Sequence, residues 1–346
     1  KSIVTQNTVS DKTIKIIDIQ IEAKNGSDIT AKVQQALDVA RDFAMDSVPY
    51  RIIIPKGTYT ISSALEIYSN TQICAEGAHI IKQSFSGGML RTAFPKGDNK
   101  LYGYSGYKNI KIVGGIWDGN AESQKYGEGK CKVFSSFRFA HATNITLENL
   151  SITNNVGSHH LELGGIDGAT ITGCTFEGYK DGGISGGKEA IQLDVMYSPE
   201  VFVGYPAFDD TPCINVKISN NTFKNVNRGV GNHTAVNGVY FENVEVTNNI
   251  FENITQQSIL ALNWKDCNIS NNIMSVFISY ANSICPNGIA VQIKGLTYDS
   301  VDMLNDISFK EIYVDSPIGI ESDMFYFGDQ SLDECFIEAY YFRDEN

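Results

Sequence analysis

Alternation places a few carboxylates where they could do chemistry. In Leu161-Glu162-Leu163 and in Ile191-Gln192-Leu193-Asp194 the apolar residues point one way, and Glu162, Gln192 and Asp194 point the other. Strands on neighbouring coils of a stack lie ~4.8 Å apart. Outward carboxylates on such strands are ~5 Å apart if level and further if diagonal. That range covers both geometries of two-carboxylate glycosidic cleavage, ~5–5.5 Å and ~6.5–9.5 Å. The chemistry needs one carboxyl kept protonated and one kept ionised. Glu162 and Asp194 are the expected pair, with Glu189 as the third catalytic candidate. An outward Asp or Glu on a strand is ordinarily a solvated surface group. What sets these apart is company: His160, Gln192, Asn232, His233, Asn263 and Trp264 are expected to project around the same strip. Lys188, Arg228, Asp209 and Asp210 join them as candidate substrate-binding residues. The histidines, His159 included, read equally well as hydrogen-bonded structural groups.

The elements that must position these residues come from an internal repeat. A β-branched residue, a polar residue, a Gly or Asn pair and another apolar residue recur as Ile112-Val-Gly-Gly-Ile-Trp117, Ile171-Thr-Gly-Cys-Thr-Phe176, Ile218-Ser-Asn-Asn-Thr-Phe223, Val246-Thr-Asn-Asn-Ile-Phe251 and Ile269-Ser-Asn-Asn-Ile-Met274. A looser copy begins at Leu147. The first residues are 35, 24, 47, 28 and 23 positions apart. A period near 23 with insertions suits one coil of a solenoid with three short strands per turn. Asn and Gly tolerate the left-handed angles of the sharp turns, and Asn in register on successive coils can form amide ladders. No coil buries its own face, so stability accumulates along the stack. The expected fold is all-β: a single-stranded, right-handed parallel β-helix occupying residues 1–346 as one domain, with an insertion at about 178–212.

Solenoid ends need covers. Residues 27–44 carry Ile29, Val33, Leu37, Ala40 and Phe43 on one helical face, with Ser27 or Asp28 as N-cap. Residues 1–60 are therefore expected to form an amino-terminal cap, built on an α-helix, and the first coil. Coils follow over 61–331, and the acidic, aromatic stretch 332–346 closes the far end. The insertion carries Tyr197, Phe202, Tyr205 and Phe208, which suit either a sugar-stacking platform or a loop tucked onto the body.

Composition removes other classes. Among 346 residues there are 27 Lys and Arg against 40 Asp and Glu, a net charge of −13. Such a surface, with no large basic cluster, repels phosphate backbones, which argues against nucleic-acid binding. No apolar run reaches membrane-spanning length. The 7 cysteines show no C-x-x-C and no zinc spacing, and read mostly as small buried apolar residues. No metal and no cofactor is expected, since no phosphate-binding or dinucleotide fingerprint is present.

The helix followed by IIIPKGTYTISSALEIYSNTQI, then GGIWDGN, then Asn-rich coils resembles the pectate-lyase-like β-helix superfamily, in particular its secreted or cell-surface members acting on polysaccharides. The resemblance covers nearly the whole chain and implies export, with a signal peptide removed, and a bacterial source. It is specific for fold and not for reaction. Polygalacturonase-like hydrolases carry Asn-Thr-Asp, an Asp pair, Gly-His-Gly and Arg-Ile-Lys on successive coils. Here Asp209-Asp210, Gly231-Asn-His233 and Gln292-Ile-Lys294 echo these at wrong spacings, and no Asn-Thr-Asp exists. Lacto-N-biosidases, which release a neutral disaccharide, are a further similar group, without a carboxylate pair that can be equated.

The reading is an exported glycoside hydrolase cleaving a neutral or weakly charged oligo- or polysaccharide. A non-catalytic glycan-binding or adhesin module and a polysaccharide lyase are the alternatives. The sequence does not fix the oligomeric state.

Overall fold

The structure, a computed structural model, describes residues 14–126, 130–183, 188–234, 236, 239–265, 267–274, 277–281, 291–293 and 335–339. Its strands pair in parallel from coil to coil, forming the expected β-helix; Lys125–Tyr126 with Lys130–Cys131 and Phe277–Ala281 with Val291–Ile293 pair antiparallel instead. On one face Ile19, Ile52, Ile73, Ile112, Leu147, Ile171, Ile218, Val246 and Ile269 stand in register as a continuous aliphatic row. The last six are the residues that open each copy of the sequence repeat. On a second face the row runs Tyr59, Ile80, Trp117, Ile152, Phe176, Phe223 and Phe251. The phenylalanine rings stack with centroids 5.1 and 4.7 Å apart. A third face aligns Leu65, Leu90, Phe137, Leu161, Ile191, Val230 and Ile259. These rows fill the interior as one core.

The turns use the expected chemistry. Asn149, Asn220, Asn248 and Asn271 all have positive φ, as do Gly114 and Gly173. Amide ladders link the coils: Asn144 Nδ2 donates to Asn109 Oδ1 at 2.8 Å, and Asn109 Nδ2 to Asn70 Oδ1 at 2.8 Å. A second, buried ladder joins Asn221, Asn249 and Asn272, each Nδ2 donating to the next Oδ1 at 3.0 Å. There the side chains also satisfy backbone groups that the corner leaves unpaired.

The helix spans Thr30–Phe43, so its N-cap lies one or two residues later than the expected Asp28 or Ser27. Asp28 Oδ1 accepts the Thr30 N–H at 2.9 Å, yet Ile29 occupies the N-cap position. Ile29, Val33, Leu37 and Ala40 are buried as expected, but Phe43, the last residue of the helix, is 61% exposed. Within the carboxyl-terminal stretch, Cys335–Ala339 pairs in parallel with Cys267–Met274; the rest of 332–346 lies outside the described residues. Cys174 and Cys213 are buried free thiols, pushed up to about 11 and about 12 by burial, while Cys74 is half-buried.

The insertion leaves the third face after Asp194 and returns at Thr211, where Met196 and Thr211 bridge. Its aromatics tuck down. Phe202 and Tyr205 are fully buried with Met196 and Ala140 in a separate cluster, and the Tyr205 hydroxyl donates to Thr92 O at 2.6 Å. Tyr197 stays exposed.

Candidate functional site

Two adjacent rows on the outward side of the third face define the site. In the first row Glu66, Arg91, Arg138, Glu162 and Gln192 stand level on successive coils. In the second, Ala140, Gly164 and Asp194 are level. Glu162 and Asp194 are thus diagonal neighbours, one coil and two residues apart. The rows differ in character, and that difference sets the protonation of the two carboxyls.

Glu162 lies in the charged row. Burial opposes its ionisation, but the Arg138 guanidinium, with the Ser135 hydroxyl, outweighs this and holds it below the usual carboxylate range. Arg138 Nε donates to Glu162 Oε2 at 2.6 Å. Arg138 is itself fixed by Val203 O at 3.2 Å and by the Phe202 ring, 4.5 Å from its Cζ. Asp194 lies in the small-residue row, over which Met196 and Phe202 pack. A Cβ on Gly164 would meet both at 2.6 Å, so glycine there is what admits them. Burial pushes Asp194 well above its ordinary range, and repulsion from Glu162 adds to the effect. The two carboxyls are thus driven apart, Glu162 toward its ionised form and Asp194 toward its protonated one.

Both open into a cleft of ≈ 570 Å³. It is lined by Ser135, Ser158, His159, Lys188 and His233, by Glu200, Val201 and Val203 of the insertion, and by Arg91 and Phe94.

Behind the cleft Glu189 is fully buried and ionised. Burial opposes its charge, yet the His233 hydrogen bond and the Arg228 guanidinium lower it to about 2. His233 Nδ1 lies 2.8 Å from its Oε2, and Arg228 Nη1 2.9 Å from its Oε1. His159 stacks on His233 at 5.6 Å and contacts Glu189 O through Nδ1 at 2.7 Å; burial brings it down to about 4, so it is neutral. His159, Glu189 and His233 are the one trio among the described residues spaced to take a metal ion. Arg228 already balances the carboxylate, which opposes a second cation there.

Of the sequence candidates, Glu162, Asp194, Lys188 and His233 come together in the cleft. Others do not join the outward strip. Trp264 is wholly within the core, its indole N–H donating to Asn232 Oδ1 at 2.8 Å. Asn232 is buried and bonds the Leu262 backbone through both ends of its amide. Asn263 occupies a left-handed corner at φ 57 and bonds Val236 O and Val239 O. His160 precedes its strand and turns inward against Phe176, bonding Gly178 O at 3.1 Å. The reason is common to all: alternation fails at corners. Glu189 and Arg228 form the support behind the wall, and Gln192 is buried beside Asp194. Asp209 accepts from Gly103 N and Thr211 Oγ1, tethering the insertion, and Asp210 is a left-handed turn residue.

Sequence reasoning did not single out Arg138, Ser135, Ser158 or the insertion's Glu200, Val201 and Val203. For Arg138 a signal existed: it precedes Glu162 by the same 24 residues that separate Leu147 from Ile171.

No protein-family model matches the chain, and no curated protein matches its sequence. Among solved structures it is similar to the surface adhesin PfbA of Streptococcus pneumoniae, in one structure at TM-score 0.61 and 19% identity over 72% of this chain, in another at 0.61 and 20% over 71%. The chain spans 63% of the length of each. An iota-carrageenase from A. fortis aligns at TM-score 0.37 and 14% identity over 80% of this chain and 63% of that one. No helix among the described residues is long and apolar enough to cross a membrane. At these identities, what the likeness shows is the fold: this chain is a parallel β-helix of the kind seen in PfbA.

Proposed function

We propose that the chain is an exported glycoside hydrolase acting on a neutral or weakly charged glycan. One observation carries the reading: an ionised Glu162 and a protonated Asp194 stand side by side in one cleft. Asp194 gives its proton to the glycosidic oxygen as the C–O bond breaks. Water attacks the anomeric carbon and its proton passes to Glu162. The diagonal offset separates the two backbones by about 8 Å; the anomeric signal of fresh product decides between inversion and retention. His233 and Lys188 contact the sugar from the wall.

The test is incubation with a panel of host and plant oligosaccharides, read by mass spectrometry and by the anomeric signal of fresh product. A saturated product one water heavier, absent with Asp194→Asn, supports the reading. No cleavage of any glycan that the protein retains would overturn it.

A glycan-binding module is the second reading, favoured by the shared fold with a surface adhesin. It uses the same cleft and yields retention without new reducing ends. A lyase needs an Arg or Lys base; Arg228 is ion-paired to Glu189, which leaves Lys188 for that role.

A further inference from the structure

Gln192 has an arrangement that folding alone does not account for. It is fully buried, level with Glu162 on the preceding coil and two residues before Asp194. Its Nε2 donates to Asp194 Oδ1 at 2.7 Å. Its Oε1 is buried and has no hydrogen-bond partner among the described residues. An unpaired buried amide oxygen is unfavourable, because it has lost its water without gaining a donor. The opposite amide orientation would put Oε1 against Asp194, which is acceptable only while Asp194 carries its proton. The N–H orientation serves both states, because Oδ1 accepts whether the group is acid or carboxylate.

We propose that Gln192 is the positioning residue of Asp194: its amide N–H fixes Oδ1 as the accepting oxygen, so the acid proton resides on Oδ2, and it holds the carboxylate once that proton has left. The inference rests on reading Asp194 as the acid. Among the described residues this is the one hydrogen bond made to the Asp194 side chain. Removing it withdraws the donor that favours ionisation, so Asp194 must hold its proton more tightly.

The experiment reads proton binding and needs no substrate. Protein labelled with ¹³C at the Asp carboxyls is titrated by NMR, the Asp194 signal being the one lost in Asp194→Asn. In Gln192→Met the midpoint rises by about 1–2 pH units. In the unsubstituted protein, the ¹⁵N-labelled Gln192 amide protons follow the same midpoint as Asp194, which covers the case of a variant that does not fold. An unchanged midpoint in folded Gln192→Met, or Gln192 amide signals flat across the titration, overturns the proposal. Should these results hold while no glycan is cleaved, the positioning role stands and the hydrolase reading falls.

Discussion

Glu162 and Asp194 sit one coil and two residues apart, and the two rows they belong to assign them opposite protonation states. Arg138 fixes one, and the packing of Met196 and Phe202 over Gly164 and Ala140 fixes the other.

The pair therefore responds unequally to neutral substitution. Asp194→Asn replaces a group that the fold keeps uncharged, so it melts near the parent in acid and above it toward neutrality, while turnover falls about 10²–10⁴-fold. Glu162→Gln loses activity similarly but leaves the buried Arg138 charge unbalanced, a destabilisation of about 3–5 kcal/mol. Equal melting of both variants would contradict the assignment. Because folded Asp194 binds its proton more tightly than the unfolded chain, it detracts from stability as pH rises above 3.8. The stability advantage of Asp194→Asn over the parent should thus grow from pH 4 toward neutrality.

Acid should unfold the stack in two overlapping steps. His159 and His160, brought by burial from 6.5 to about 4, stay neutral while the unfolded chain takes up protons. Stability falls as pH drops from 6.5 to 4, on the order of 3 kcal/mol for each. Glu189, lowered to about 2, contributes stability above 4.5 that is lost as pH falls toward 2. Denaturant titrations from pH 7 to 3 show this slope, and His160→Gln should flatten its upper part. In an Asp194→Asn background, which removes the opposing Asp194 contribution, a level profile between pH 7 and 4 would exclude buried neutral imidazoles.

Lys82 is buried against the rings of Phe85 and Phe134, with Nζ 2.6 Å from Phe85 O and 3.0 Å from Gln124 Oε1. Burial lowers it to about 7. Between pH 7 and 10.5 the unfolded chain binds the extra proton, so stability rises with pH across that window. Lys82→Met should abolish the rise, and melting curves at pH 7 and 10 decide it.

The buried amide ladder gives the largest effect away from the cleft. Asn249→Leu would orphan Ile218 O and Asn221 N together, while Asn272 Oδ1 keeps the residue 249 backbone N–H. At about 1–3 kcal/mol for each, a loss of roughly 2 kcal/mol or more in chemical denaturation is expected. A loss below about 1 kcal/mol would show that water replaces the ladder.

The row from Ile112 to Ile269 and the Asn pairs were legible because each coil repeats one local rule, apolar inward and left-handed at the corner. The outward placement of Glu162 and Asp194 followed from the same rule. Trp264 and His160 escaped it because they adjoin corners, where a residue such as Asn263 at φ 57 reverses the side-chain direction. Arg138 was visible only once coils were aligned in register. Glu200, Val201 and Val203 reach the cleft because the loop folds back and its Tyr205 packs on Phe94, a long-range packing event without local signature.

The chain departs from the coil and rejoins it at a single clasp, Met196 N to Thr211 O at 2.8 Å and Asp210 N to Met196 O at 2.9 Å. Entry and exit being adjacent, the length of the excursion is decoupled from the pitch of the solenoid, and doubling it adds only about 0.6 kcal/mol of closure entropy. The cleft wall is in effect an exchangeable cassette: its outline can be rewritten between residues 196 and 211 while the charged and small rows beneath it keep their spacing.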